Sequence, residues 1–252
     1  MSYWGVAIPG LAMRNTELPV VDGLHVLENH EIGEGISLIS QYTLEDVAEI
    51  HAASIVELIP KYQSKLIIVG MSMGGMICSV LAAHFRAKLP IETKFRFLVT
   101  AANSSDLPAI PENLLSTWTS VTPGVLDDFE VILAPFFSRR FRESNPQAVE
   151  AYYCYRAIGQ NQQIPKSFIR QMNALRAFDG TSYFSQIDPE EAEFIGGSED
   201  YVLGPRHNVK LKELAPGAYH KEVLGLGHMV NLEMPGFFQR EIFYRFQRSC
   251  CF

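Results

Sequence analysis

One segment constrains this chain more than any other: Leu66-Ile67-Ile68-Val69-Gly70-Met71-Ser72-Met73-Gly74-Gly75. Leu66 to Val69 are consecutive apolar residues, mostly β-branched, which fits a parallel strand buried on both faces. The run ends at Gly70, and from Gly75 to Arg86 the apolar spacing becomes helical. A buried strand that turns at once into a helix calls for a layered α/β structure. Glycines two residues either side of Ser72, Gly70 and Gly74, leave room for a turn tight enough to strain the serine backbone and raise its hydroxyl above the sheet. The following helix would direct its positive end at that hydroxyl and favour a developing anion.

The rest of the chain fits the same architecture. Tyr3 to Ile8 reads as a buried strand closed by Pro9-Gly10, and Leu24 to Leu27 as a weaker second strand. Thr43 with Asp46 three residues on is a capping-box variant. Leu44, Val47, Ile50, Ile55, Leu58 and Ile59 then follow helical spacing up to Pro60. Further strands are expected at Phe95 to Thr100, Ala192 to Ile195 and Tyr219 to Leu224. Helices are expected at Ser167 to Phe178 and Pro235 to Arg248. The alternation predicts a doubly wound, mainly parallel sheet. Residues 107 to about 165, rich in proline and aromatic side chains, break it and read as a helical cap inserted in a single domain spanning 1–252.

Composition excludes other classes. Lys and Arg number 21 against 28 Asp and Glu, a net charge of −7. That opposes nucleic-acid binding and electrostatic docking on anionic membranes. Four cysteines (Cys78, Cys154, Cys250, Cys251) are too few and too uneven for a disulfide framework, and no Cys/His cluster has zinc spacing. Neither a metal nor a cofactor is expected. No basic stretch precedes the N-terminal apolar run, and no apolar stretch reaches membrane-spanning length, so a cytoplasmic protein is the expectation.

Gly70-Met71-Ser72-Met73-Gly74 is a G-x-S-x-G motif in the strand-to-helix context the motif requires, with Ser72 as nucleophile. A serine hydroxyl needs a base within reach. Of seven histidines, His228 stands apart in Gly225-Leu226-Gly227-His228, where flanking glycines permit a loop that swings an imidazole toward Ser72. His51 and His84 sit in helical patterns, and His207 and His220 read as surface residues. An acid must orient the imidazole. Asp200, after a strand and Gly196-Gly197, is the candidate, with Asp106 as runner-up and Glu199 as a solvated loop acid. The oxyanion needs preorganised donors, expected at the backbone N–H groups of Met73 and Leu11.

These residues resemble the α/β-hydrolase superfamily, particularly its small esterase-like members. Gly70 to Gly75 is similar to the family's nucleophile elbow, and Tyr42 to Asp46 to the helix start before it. Gly33-Glu34-Gly35-Ile36-Ser37 stands where the family often has an Asp-x-x-G-x-G-x-S loop. Gly227-His228 with Glu233, Pro235 and Phe238 resembles the family's G-H-x-x-x-x-E-x-P-x-x-F tail. Two departures stand out. Pro9-Gly10 replaces the usual His-Gly after the first core strand, and the family's leading antiparallel hairpin is missing from the pattern. An edge left bare in that way could be covered by a second subunit, which would make a homodimer.

The resemblance implies a hydrolase that cleaves a carboxylic ester, or a related thioester or lactone, through an acyl-enzyme. Alternatives on the same fold are a non-catalytic ligand receptor, or a lyase, acyltransferase or C–C hydrolase using the same triad. Met71, Trp118, Phe136 and Phe137 are the expected lining of an apolar substrate pocket, although such aromatics could equally form the cap's own core. Arg139, Arg140 and Arg142 read as a solvated helix face rather than an anion site.

Overall fold

A computed structural model describes residues 42–62, 65–89, 92–110, 134–152, 172–237 and 241. The expected strands at Tyr3 to Ile8 and Leu24 to Leu27, the Pro9-Gly10 departure, Leu11 and Trp118 lie outside the described residues.

Four strands, β1 (Lys65–Met71), β2 (Glu92–Leu98), β3 (Ala192–Gly197) and β4 (Tyr219–Val223), form one sheet in the order β1-β2-β3-β4. Every pairing is parallel. Each strand expected in this part of the chain is present, with bounds shifted by a few residues.

Helix α1 (Leu44–Tyr62) starts at a reciprocal cap. Asp46 Oδ2 accepts the Thr43 N–H at 2.7 Å, and Thr43 Oγ1 accepts the Asp46 N–H at 3.1 Å. Its inward stripe is Leu44, Val47, Ala48, Ala52 and Ile55. Ile50, which the apolar spacing assigned to this stripe, is 40% exposed. Helical geometry puts positions 48 and 52 under the core instead, and small alanines let α1 lie close to its neighbour. Helix α2 (Met73–His84) follows β1 through Ser72 and is buried along most of its length.

The sheet core is an in-register aromatic row. Phe97, Phe194 and His220 are successive cross-strand partners. Phe97 and Phe194 stack with ring centroids 4.6 Å apart, as do Phe194 and His220, and Phe184 meets Phe97 edge-on. One position earlier, on the opposite face, the buried Arg96 pairs with Glu193 at 3.1 Å. The period of two therefore puts an apolar ladder on one side and an ion pair on the other.

Between β2 and β3 the chain leaves the sheet and returns. Asn103 fastens the two ends of this excursion. Its Oδ1 accepts the Ala109 N–H at 2.7 Å, and its Nδ2 donates to the carbonyls of Leu175, at 2.7 Å, and Phe178. Its own carbonyl accepts the Gly180 N–H at 2.8 Å. The excursion contains the short helices α3 (Arg139–Ser144) and α4 (Thr181–Phe184), with further helix at 146–152 and 172–177. After β3 come α5 (Pro205–Leu214), β4 and the single turn α6 (Val230–Glu233). Residues 235–237 and 241 are helical at the start of the expected C-terminal helix. No helix among the described residues is long and apolar enough to cross a membrane.

Candidate active site at the carboxyl edge of the sheet

Open α/β sheets place ligands beyond the carboxyl ends of their strands. Here backbone hydrogen bonds continue the ladder past those ends. The Ser72 N–H donates to Leu98 O at 2.9 Å, the Val99 N–H to Ile195 O at 2.7 Å, the Ser198 N–H to Val223 O at 3.0 Å and the Glu199 N–H to Leu226 O at 2.9 Å. These bonds fix the loops carrying Ser72, Asp200 and His228 along one edge. Met71 and Met229, the neighbours of Ser72 and His228, belong to one apolar cluster with Leu98, Val99 and Ile195.

Ser72 has φ 54° and ψ −121°, a positive-φ conformation that a non-glycine residue seldom adopts. Such strain is on the order of 1–3 kcal/mol and persists only where the surroundings enforce it. The surroundings are explicit. A Cβ on Gly70 would lie 2.5 Å from Cys78 Sγ, and a Cβ on Gly75 2.7 Å from Thr100 Cγ2. At both ends of the turn, α2 is drawn against the sheet too closely for any side chain. Gly74 is different: a Cβ there would meet no described atom within 4 Å. The crowding expected at Gly74 is found at Gly75, because the helix begins at Met73 and Gly75 is the residue that faces Thr100. Met73 occupies the first helical position, where a backbone N–H has no intrahelical acceptor.

His228 and Asp200 meet, as their loops allow. His228 Nδ1 lies 2.9 Å from Asp200 Oδ2, and both side chains are buried, at 2% and 5% exposure. The other carboxylate oxygen, Oδ1, accepts the N–H groups of Val202 at 2.9 Å and Leu203 at 3.0 Å. A carboxylate only accepts, so Nδ1 donates and Nε2 is left to take a proton. The Phe136 ring stands edge-on to the imidazole, centroids 5.2 Å apart.

The other candidates fall elsewhere. Asp106 is a surface carboxylate bound by the Ser104 hydroxyl at 2.7 Å, which with nearby Lys210 holds it below its ordinary pKa. Glu199 Oε2 accepts the Arg139 N–H at 3.2 Å. Met71 and Phe137, expected to line a pocket, are instead core side chains at 5% and 1% exposure. Phe137 packs against Phe141 and Tyr152 and shares one apolar cluster with Met71, Leu98, Val99 and Ile195, so it ties the excursion to the sheet. Among the described pocket candidates, Phe136 stands against the His228 ring. Arg139 and Arg140 are exposed, and Arg139 pairs with Glu143 at 2.8 Å.

His207 is not a surface residue. It is 1% exposed, and its Nδ1 accepts the Ala102 N–H at 3.2 Å. Burial pushes its pKa down to about 4, and the nearby Asp200 charge only partly offsets that. His220 is half-buried on Phe194. Sequence reasoning also missed Val99, buried just beyond β2 with φ 42°. A β-branched residue gives no local hint of such a backbone. Among the described residues, no group of three or more His, Cys, Asp or Glu side chains could hold a metal ion.

A sequence model of the alpha/beta hydrolase family matches residues 23–240. No curated protein matches the chain. Solved structures of similar shape include MGS-M2, an alpha/beta hydrolase from a Medee basin deep-sea metagenome library. It is 20% identical with a TM-score of 0.70, over 83% of this chain and 74% of that one. A thermophilic esterase from Thermogutta terrifontis has 16% identity and a TM-score of 0.64, over 82% and 73% of the two chains. The enol-lactonase from Burkholderia xenovorans LB400 has 19% identity and a TM-score of 0.61, over 80% and 72%. At these identities the likeness is one of fold.

Proposed function

The chain belongs to the alpha/beta hydrolase family, and from that premise we propose that it is a serine hydrolase acting on a carboxylic ester or lactone. Ser72 attacks the acyl carbon, and His228 Nε2 takes its proton. Asp200 keeps the imidazole in the tautomer that can do so and stabilises its charged form. The Met73 N–H, with that of Leu11, holds the oxyanion. The leaving alcohol takes the proton from His228. Water, deprotonated by the same imidazole, then releases the acid from Ser72.

The observation that carries this reading is the buried Asp200–His228 pair at 2.9 Å on the same sheet edge as a serine at φ 54°. A merely structural helix-capping serine would have no need of positive φ. Here the Ser72 side chain makes no capping bond to α2. The esterase and lactonase among the similar structures agree with an ester-type substrate. Single-domain organisation with residues 107 to about 165 as a cap is part of the same proposal, and Phe136, within that cap and beside the base, would contribute to substrate choice.

The test is a panel of p-nitrophenyl esters of graded chain length, with thioesters and lactones alongside. Turnover that disappears in Ser72→Ala supports the enzyme. Stoichiometric binding with no turnover refutes it and favours a receptor on this fold, and activity that survives in Ser72→Ala refutes Ser72 as the nucleophile.

A further inference from the structure

We infer that Glu233 is a positioning residue for His228, clamping the base loop to residues 136–138 of the β2–β3 excursion. The inference rests on the reading of His228 as the base.

The loop from Leu224 to Met229 carries His228 without regular structure, turning at Gly225 with φ 73°. Its position therefore depends on what holds it. Glu233 Oε1 accepts two N–H groups, those of Gly227 at 3.1 Å and Ser138 at 2.8 Å. Its Oε2 accepts the Ser138 hydroxyl at 2.5 Å. Ser138 Oγ in turn accepts the Phe141 N–H at 3.2 Å and so caps α3. On the other side of the histidine, the Met229 N–H donates to Phe136 O at 2.9 Å. The residues before and after His228 are thus both fastened to the same three-residue stretch.

Packing leaves the joint no slack. A Cβ on Gly227 would lie 2.7 Å from Glu233 Oε1 and 2.8 Å from Phe137 C. The stretch also reaches the acid's loop through the bond from the Arg139 N–H to Glu199, the residue before Asp200. Removing the carboxylate would leave three donors without their acceptor in a half-buried joint. The imidazole would then lose its register with Asp200. Burial raises the Glu233 pKa, while its three donors act in the opposite sense.

The role assigned is one of geometry, which separates two substitutions. Glu233→Gln preserves the clamp: its carbonyl oxygen accepts both N–H groups and its amide donates to Ser138 Oγ. Glu233→Ala removes it. With p-nitrophenyl butyrate, Glu233→Ala is expected to lower kcat about 100-fold with KM nearly constant, the size of effect that a misplacement of about 1 Å produces. Glu233→Gln should recover most of that loss. Gly227→Ala keeps the carboxylate but forces the joint apart by driving a methyl against it, and should match Glu233→Ala, which keeps the test usable if one variant misfolds.

Hydrogen–deuterium exchange on the full chain gives a readout that needs no turnover. Glu233→Ala should speed exchange in both 225–229 and 134–139, and Glu233→Gln in neither. A Glu233→Ala enzyme with wild-type kcat, a Gln variant as impaired as the Ala variant, or unchanged exchange at 225–229 overturns the inference. A wild type that hydrolyses no ester while the two segments still loosen together overturns the hydrolase reading alone and supports the clamp.

Discussion

Asp200→Asn should disable the enzyme through a proton on the wrong nitrogen, with little change in shape. The structure dictates which way the new amide turns. Asp200 Oδ1 sits on the N–H groups of Val202 and Leu203, at 2.9 and 3.0 Å, and two donors tolerate only an oxygen there. The NH2 group must then take the place of Oδ2 and face His228 Nδ1. Two donors cannot face each other, so the imidazole moves its proton to Nε2, the atom that accepts from Ser72 in the proposed mechanism. In serine proteases the same substitution lowers kcat about 10,000-fold, which corresponds to about 5.5 kcal/mol of transition-state stabilisation. Initial rates on a p-nitrophenyl ester measure the loss, and urea unfolding monitors the fold. Asp106→Asn is the control. Asp106 is 73% exposed, bound by Ser104 and remote from this hydrogen-bond set, so the variant should keep wild-type kcat. A folded Asp200→Asn enzyme within tenfold of wild type, or a larger loss in Asp106→Asn, refutes the reasoning.

Two further predictions concern stability. His207 is buried and neutral, with a pKa of about 4 against 6.5 for an unfolded chain, so the unfolded state takes up the proton first. Its contribution is full above about pH 6.5 and is lost as the pH falls from there toward 4, a loss of about 2 kcal/mol by pH 5. Urea titrations at pH 7.5 and 5.0 should show wild type losing about that much more than His207→Asn, and equal losses would contradict the assignment. Gly75→Ala should cost about 1–3 kcal/mol by driving a methyl into Thr100, with part recovered in the Thr100→Ala background. Full stability in Gly75→Ala alone would mean that α2 can shift away from β2 at no cost.

Much of the site was legible because its chemistry is written locally. The Leu66 to Gly75 run specifies strand, tight turn and helix with no help from distant residues, and the structure delivers that turn with Ser72 at φ 54°. Gly196-Gly197 before Asp200 and Gly225 to Gly227 before His228 likewise mark loops that can bring two side chains together. The errors came where partners are remote. His207 read as a surface residue because nothing nearby in sequence shows that Ala102 supplies its buried partner. Ile50 fitted the apolar spacing, yet only the direction from which the core covers α1 decides that Ala48 and Ala52 face in.

The glycines around Ser72 show the same distinction. A motif shows that small residues surround Ser72, but only the packing of α2 on β1 and β2 shows that Gly70 and Gly75 are the crowded ones. Glu233 could be placed in a tail motif, whereas its task depends on Ser138, 95 residues away in sequence. By itself, the order of residues determined the parallel α/β plan, the elbow and the identities of nucleophile, acid and base candidates, because periodicity, turn chemistry and side-chain type act over a few neighbours. Tertiary structure decided which groups are buried, which donors each carboxylate must satisfy and what holds the base loop. Those are properties of surfaces that meet only after the chain has closed on itself.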